Sequence, residues 1–240
     1  MDYATNPYDS PRFSVAAMAA EDERAGFIIK TYLHLVGAIG ALVLLEAILL
    51  QTPLAESLVG LIFSSQYGWL IVLGGFMGVS YVANNWAMSA TSLGKQYAGL
   101  GLYVAAQSII LLPMLYIATS SPRFAGVVPT AAVTTLGLFA ALTAVVFITR
   151  KDFSFMRSIL MFGGFAAMGL IVCAILFQFS LGPIFTYAMI AFACGHILYD
   201  TSNVMHHYRI GQHVAASLAL FASVALLFWY ILRLFMSSRD

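Results

Sequence analysis

The chain has 240 residues, of which 61% are hydrophobic and 9% are charged, and its mean hydropathy is +0.90. Soluble domains are roughly 45–50% apolar and 25% charged, so this composition excludes an ordinary soluble protein. Eleven Lys and Arg residues against ten Asp and Glu residues give a formal net charge of +1, which is too small for a protein that neutralises nucleic-acid phosphates. We therefore expect an integral membrane protein whose surroundings are the lipid bilayer, with no nucleic-acid partner.

Seven stretches are apolar enough to cross a bilayer as helices, which takes about 20 residues each. In chain order the predicted spans are 27–50, 67–89, 97–118, 126–148, 155–179, 182–204 and 214–235. The segments between them carry Pro, Gly, Ser and charged residues typical of turns. Pro183 fits the first turn of the sixth span, where its missing N–H has no cost.

The predicted fold class is therefore all-α, a polytopic bundle of seven transmembrane helices. A polar N-terminal tail (1–26) precedes the transmembrane domain (27–235), and a short C-terminal tail (236–240) follows it. No short apolar segment followed by a cleavage site is visible at the N-terminus, so we expect no removable signal peptide.

The basic residues indicate an orientation, because Lys and Arg near span ends are retained in the cytoplasm. A cytoplasmic N-terminus puts eight basic residues inside and three outside. The inner ones are Arg12, Arg24, Lys30, Lys95, Arg150, Lys151, Arg157 and Arg209, and the outer ones are Arg123, Arg233 and Arg239. The bias favours a cytoplasmic N-terminus, while the last two arginines leave open a final segment that enters the membrane and returns without crossing.

Ionisable groups at membrane depth cost about 2.5–3.5 kcal/mol each, so each one is a candidate functional residue. At 100° per residue, four polar side chains of the sixth span share one narrow face that should point into the bundle. They are His196, Asp200, Asn203 and His207. Two interpretations of Asp200 stand: it is a structural hydrogen-bonding group, or its protonation responds to cytoplasmic pH.

Other polar residues give weaker signals. Glu46, near the outer end of the first span, is interpreted as a snorkelling or capping carboxylate rather than a cation ligand. The histidines at 206, 207 and 213 lack a nearby Cys or carboxylate, so we expect no metal site and no cofactor. All three lysines fall at span ends, which excludes a retinal Schiff base.

An enzyme is not expected. Aspartyl intramembrane proteolysis needs two carboxylates that share a proton, and only Asp200 lies at a useful depth. A serine mechanism would need His196 beside Ser217 or Ser223, and no motif supports it.

Small residues four apart allow close helix packing in lipid. They occur as Gly37/Ala41, Gly74/Gly78, Gly163/Ala167 and Ala191/Gly195. We interpret all four pairs as packing positions inside the bundle.

Two segments resemble the Bax inhibitor-1 family of small multi-helix membrane proteins. They are TLGLFAALTAVVFITRKDFSFM (135–156) and ILYDTSNVMHHY (197–208), whose Tyr-Asp-Thr is the most specific feature. The similarity extends to the closing LFASVALLFWYILRLF and to the opening span, and so covers about residues 27–235. It implies a seven-helix bundle with the last helix central and, for a bacterial-type member, a place in the inner membrane.

The resemblance also implies a function. In bacterial relatives, one aspartate on the sixth helix and one on the seventh form a pH-sensitive latch that controls a calcium leak. Asp200 matches the first aspartate, Ser223 stands where the second would be, and the second span has no arginine to serve as a counter-ion.

Two functions are therefore expected as alternatives. One is a pH-modulated calcium or other cation leak with Asp200 as the sensor, Ser223 as its hydrogen-bond partner and His196 beside them. The other is a non-enzymatic modulator that docks on a membrane AAA protease of the FtsH type, or on another integral membrane partner, through its helix faces and its N-terminal tail. Four residues are expected to support the first function: Asn203, His207, Ser217 and Glu46.

Overall fold

The computed structural model describes residues 15–89 and 92–239. Residues 1–14 of the predicted N-terminal tail, and residue 240, lie outside the described residues. Within the described ranges the chain forms eight α-helices and two short 3-10 turns, Ala16–Met18 and Pro122–Phe124. The helices are α1 (Glu21–Leu49), α2 (Leu54–Phe63), α3 (Gly68–Ala87), α4 (Leu93–Ser120), α5 (Val127–Thr149), α6 (Met156–Phe177), α7 (Gly182–His206) and α8 (His213–Ser237).

Seven of the described helices are long and apolar enough to cross a membrane, which confirms the predicted number of spans. The sixth and seventh spans are α7 and α8. The sequence did not predict α2, whose ten residues cover about 15 Å and so only half of the hydrocarbon core. This helix packs against α3 and α4.

The helix ends follow local chemistry. Glu21, Asp22 and Glu23 occupy the first turn of α1, where negative charge is favourable beside the helix dipole; the helix thus begins six residues before the predicted span. Ser92 caps α4 by accepting a hydrogen bond from the Lys95 N–H at 3.3 Å. Pro183 lies in the first turn of α7, as predicted.

The last helix lies at the centre of the bundle. In an apolar 18-residue stretch of α8, 72% of the residues are buried. The corresponding share is 11–28% for α1, α3, α5, α6 and α7. It packs against α7, α1, α5 and α4. Because a helix that is apolar on all sides is stable when surrounded by others, this arrangement confirms the central last helix. The helix is continuous from His213 to Ser237, about 37 Å at 1.5 Å per residue, and does not turn back.

The bundle has two ends, here named the proximal end, where α1 begins, and the distal end, where α8 ends. At the proximal end Val15 pairs with Arg209 as an isolated antiparallel bridge, and the Ala16 N–H donates to the Tyr208 carbonyl at 2.9 Å. At the distal end the Arg239 guanidinium donates to the carbonyl of Ala125 at 2.7 Å. Hydrogen bonds to backbone carbonyls thus hold the helix connections at both ends.

The small-residue pairs divide into two groups. A Cβ added at Gly195 would meet Met156 and Leu160 within 3.2 Å, so this position packs inside the bundle as predicted. A Cβ at Gly37 or at Gly74 would meet nothing within 4 Å. The predicted packing role is therefore wrong for these two glycines, because their helix faces point outward.

A close approach of two long helices involves Gly99 of α4. A Cβ there would lie 2.5 Å from the Ala83 carbonyl oxygen and 2.6 Å from the Ala87 nitrogen, both backbone atoms of α3. Only a glycine allows α3 and α4 to pack at this distance.

We predict that Gly99→Ala separates α3 from α4 and destabilises the protein by about 1–3 kcal/mol, the usual cost of overpacking. Gly101→Ala on the same helix is the matched control, since a Cβ there meets nothing within 4 Å. Thermal unfolding in detergent measures both variants. Equal melting temperatures for the two variants would contradict this account of the α3–α4 contact.

Candidate functional site

Asp200 of α7 and Ser223 of α8 meet inside the bundle. The Ser223 hydroxyl donates a hydrogen bond to Oδ2 of Asp200 at 2.5 Å. The two residues are 8% and 4% exposed. Asp200 lies six residues before the end of α7, about 9 Å along the helix axis from its proximal end. The structure therefore removes this carboxylate from bulk water and gives it a hydroxyl partner on the central helix.

Two tyrosines from neighbouring elements lie near Asp200. Tyr103 of α4 and Tyr208 of the α7–α8 connection both interact electrostatically with Asp200. Burial, followed by the charge of Asp200, raises the pKa of Tyr208 above its ordinary value. Among the described residues no Lys or Arg forms an ion pair with Asp200. Among the described residues, the Ser223 hydroxyl is therefore the hydrogen-bond partner of the carboxyl group.

A cavity of about 820 Å³ lies beside the pair, between α3, α4, α6, α7 and α8. Asp200 is not among its lining residues, whereas Ser223 and His196 are. Ser223 thus separates Asp200 from the cavity. The His196 ring lies edge-on to the Phe192 ring, with centroids 4.7 Å apart. The other polar lining residues are Ser80, Asn84, Tyr103, Gln107, Ser180 and Arg233, together with the Trp69, Tyr81, Trp229 and Tyr230 rings.

The predicted polar face of the sixth span does not continue to His207. The helix ends at His206, and His207 is an exposed residue whose Nε2 lies 3.0 Å from Oδ2 of Asp152. Asn203 is half-buried, and its carbonyl accepts the N–H groups of His207 and Tyr208 at 2.9 and 3.0 Å. The prediction of one inward-facing stripe is therefore wrong at His207, because the backbone leaves the helix there.

Ser217 is buried but does not bond to Asp200. Its hydroxyl donates to the Val214 carbonyl at 2.8 Å, within α8. Of Ser217 and Ser223, the structure brings only Ser223 to Asp200.

Asp152, in the α5–α6 connection, organises the proximal end and was missed by the sequence analysis. Its Oδ1 accepts the Ser154 N–H at 2.8 Å and the Ser202 hydroxyl at 3.4 Å. Partial desolvation opposes ionisation, but the hydrogen bonds from Ser154 and His207 outweigh it and lower the pKa of Asp152. Asp152 and His207 are 55 positions apart, so no local pattern could have indicated the pair.

Glu46 is buried rather than snorkelling, which corrects the prediction for this residue. It is 6% exposed, and neither carboxylate oxygen has a hydrogen-bond partner among the described residues. Leu42 and Leu50 lie one helical turn away on either side and pack against the inner core. Because residues four apart share a helix face, Glu46 points inward with them.

The histidines form separate contacts instead of a cluster. His213 meets the His34 ring at 4.8 Å, and His34 Nε2 lies 2.9 Å from the Tyr97 hydroxyl oxygen, whereas His206 and His207 lie 6.2 Å apart. In the described part of the chain, no three His, Cys, Asp or Glu side chains are grouped to hold a metal ion.

Comparisons with known proteins agree with this architecture. The family model described as "Inhibitor of apoptosis-promoting Bax1" matches residues 24–240. "Uncharacterized protein PA2604" of Pseudomonas aeruginosa is 29% identical over 166 residues, which are 69% of this chain and 72% of that protein. "Bax inhibitor 1" of Schizosaccharomyces pombe is 30% identical over 177 residues, covering 69% of this chain and 61% of the yeast protein.

A "BI1-like protein" of Arabidopsis thaliana is 34% identical over 113 residues, 43% of each chain. No solved structure matches the chain. The match of one family model to nearly the whole chain, together with seven apolar helices around a central last helix, shows that this chain belongs to the Bax inhibitor-1 family of membrane proteins.

Proposed function

We propose that this protein is a pH-modulated leak for calcium or other cations, and that Asp200 senses pH through its contact with Ser223. The observation that carries the proposal is the position of this pair. Ser223 lines the large cavity, and Asp200 lies directly behind it, buried toward the proximal end. A change in this contact would alter the barrier between the cavity and the proximal side.

The chemistry of the pair supports a switch. An ionised carboxylate only accepts hydrogen bonds, whereas a neutral carboxylic acid also donates one. Protonation of Asp200 therefore adds a second possible donor to the α7–α8 contact, beside the Ser223 hydroxyl. An ionised Asp200 also places a negative charge where a cation would pass. Tyr103 and Tyr208 are the titratable groups that approach Asp200 from neighbouring elements.

The orientation belongs to the same proposal. With a cytoplasmic N-terminus in a bacterial inner membrane, the proximal end faces the cytoplasm, and Asp200 lies in the cytoplasmic half of the bundle. Eight of the eleven basic residues are then cytoplasmic, as the distribution of Lys and Arg favours. The sensor would respond to cytoplasmic rather than external pH.

A second candidate function has an observation of its own. A groove of about 740 Å³ runs between α1 and α4 on the outside of the bundle, and small residues line it. They include Gly37, Ala41, Gly101 and Ala105. Small residues let the backbone of another helix approach closely in lipid. The groove therefore supports docking of a transmembrane helix from an integral partner, for which a membrane AAA protease is the candidate.

The first prediction from this proposal tests Asp200 as the pH sensor. Calcium flux into liposomes containing the purified protein should change with pH, by at most about tenfold per pH unit because one proton titrates. Asp200→Asn should give a flux that is the same at every pH, since an amide does not titrate in this range. Asp22→Asn, which removes an exposed carboxylate at the same end, is the control and should keep the wild-type profile. Flux equal to that of empty vesicles at every pH would refute the leak.

The second prediction concerns the number of titrating groups. Ser223→Asp places a second carboxylate against Asp200, and two interacting carboxylates lose their protons in two separate steps. The flux profile of this variant should therefore show two transitions where the natural chain shows one. A two-step profile in the natural chain would mean that another group shares the role of Asp200.

The third prediction tests the docking groove. Gly37→Leu fills the groove and should reduce co-purification with a co-expressed membrane AAA protease. Gly74→Leu, an equal change on an outward face of α3, should leave co-purification at the wild-type level. Equal recovery of the protease with both variants would argue against docking at α1 and α4.

A further inference from the structure

We propose that the large cavity is a binding site for an anionic phospholipid from the surrounding bilayer, with the acidic headgroup on Arg233 and an acyl chain inside the bundle. This inference does not depend on the leak, because it concerns a different ligand and the distal part of the cavity. It rests on the opening of the cavity, its walls and the charge at its distal end.

The cavity opens sideways into the membrane. It lies between α3 and α6, and these helices pack on different neighbours: α6 on α7, and α3 on α2, α4 and α8. Met77 and Tyr81 of α3 line the cavity and are nevertheless 52% and 72% exposed. Since both lie within a membrane span, the medium to which they are exposed is lipid. An acyl chain can therefore enter without leaving the hydrocarbon layer.

The walls suit a hydrocarbon chain. Aliphatic and aromatic side chains from three helices face one another across the space, including Leu73, Phe76, Ile171 and Leu226. Gly164, Ala167 and Ala222 leave the space between them open. The volume of about 820 Å³ falls in the range of roughly 300–1,000 Å³ that is usual for small-molecule sites.

The distal end of the cavity carries a cation. Arg233 lines it, and none of the described carboxylates forms an ion pair with this guanidinium. Trp69 and Trp229 stack there, with ring centroids 5.6 Å apart, and tryptophan is enriched at the level of lipid headgroups. Gln66 and Gln178 are hydrogen-bonded to each other across the ends of α3 and α6 on the same side of the bundle.

These features together select the class of ligand. A guanidinium beside an apolar wall is stabilised by an anion, and Arg binds phosphate through two parallel hydrogen bonds. A zwitterionic lipid offers its phosphate together with a positive charge, so a lipid of net negative charge is the favoured occupant.

Native mass spectrometry of the purified full chain can test the site with phosphatidylglycerol and phosphatidylcholine of identical acyl chains. We expect one phosphatidylglycerol to remain bound, with affinity at least about tenfold above that of phosphatidylcholine. Arg233→Gln should remove this preference. Arg157→Gln, which removes an exposed charge at the proximal end, is the control and should keep it. Glycerol phosphate should not compete, which separates a lipid from a free phosphate ester.

The acyl-chain part of the site needs its own variant. Ala167→Trp fills the cavity and should abolish retention of phosphatidylglycerol, while Ala166→Trp, on the exposed face of the same helix, should not. Equal retention of the two lipids, or an equal effect of the two arginine variants, would overturn the proposal.

A second measurement covers the case in which the Ala167 variant does not fold. Phosphatidylglycerol with brominated chains should quench Trp69 and Trp229 in a Trp86→Phe background more strongly than brominated phosphatidylcholine does. Equal quenching by the two lipids would also overturn the proposal.

Discussion

The burial of α8 among the other helices is the constraint on which the rest of the structure depends. Within a bilayer, lipid tails are as apolar as leucine, so helices associate through packing and internal polar contacts rather than through the hydrophobic effect. A central helix can place each of its few polar side chains against a chosen neighbour. Ser223 is one of these, and its position fixes both the partner of Asp200 and the inner wall of the cavity.

The sequence predicted the features that depend on length and hydropathy, and missed those that depend on distant contacts. The seven spans follow from apolar runs of sufficient length, whereas the ten residues of α2 are too few to be predicted as a span. Helical periodicity correctly predicted that Asp200 is buried, because the residue lies within a regular helix. It failed at His207, where the helix has ended. The inward direction of Glu46 was readable from Leu42 and Leu50, but only once the inner face of α1 was known.

The cavity and the groove show two different uses of the lipid-facing surface. The groove between α1 and α4 has Gly and Ala residues from both helices in its wall, which suits the approach of a helix backbone, whereas the cavity between α3 and α6 has a cation at its distal end. The groove has no residue in common with the interior around Asp200, whereas Ser223 belongs to the cavity wall.

The bridge between Val15 and Arg209 has a mechanical consequence. It attaches the start of the described chain to the connection between α7 and α8 before α1 begins. A pulling force on the N-terminus, such as a processive unfoldase exerts, would reach the α7–α8 connection through this bridge and load the central helix early. Extraction from the membrane would then start by loosening the core of the bundle instead of peeling away its outermost helix.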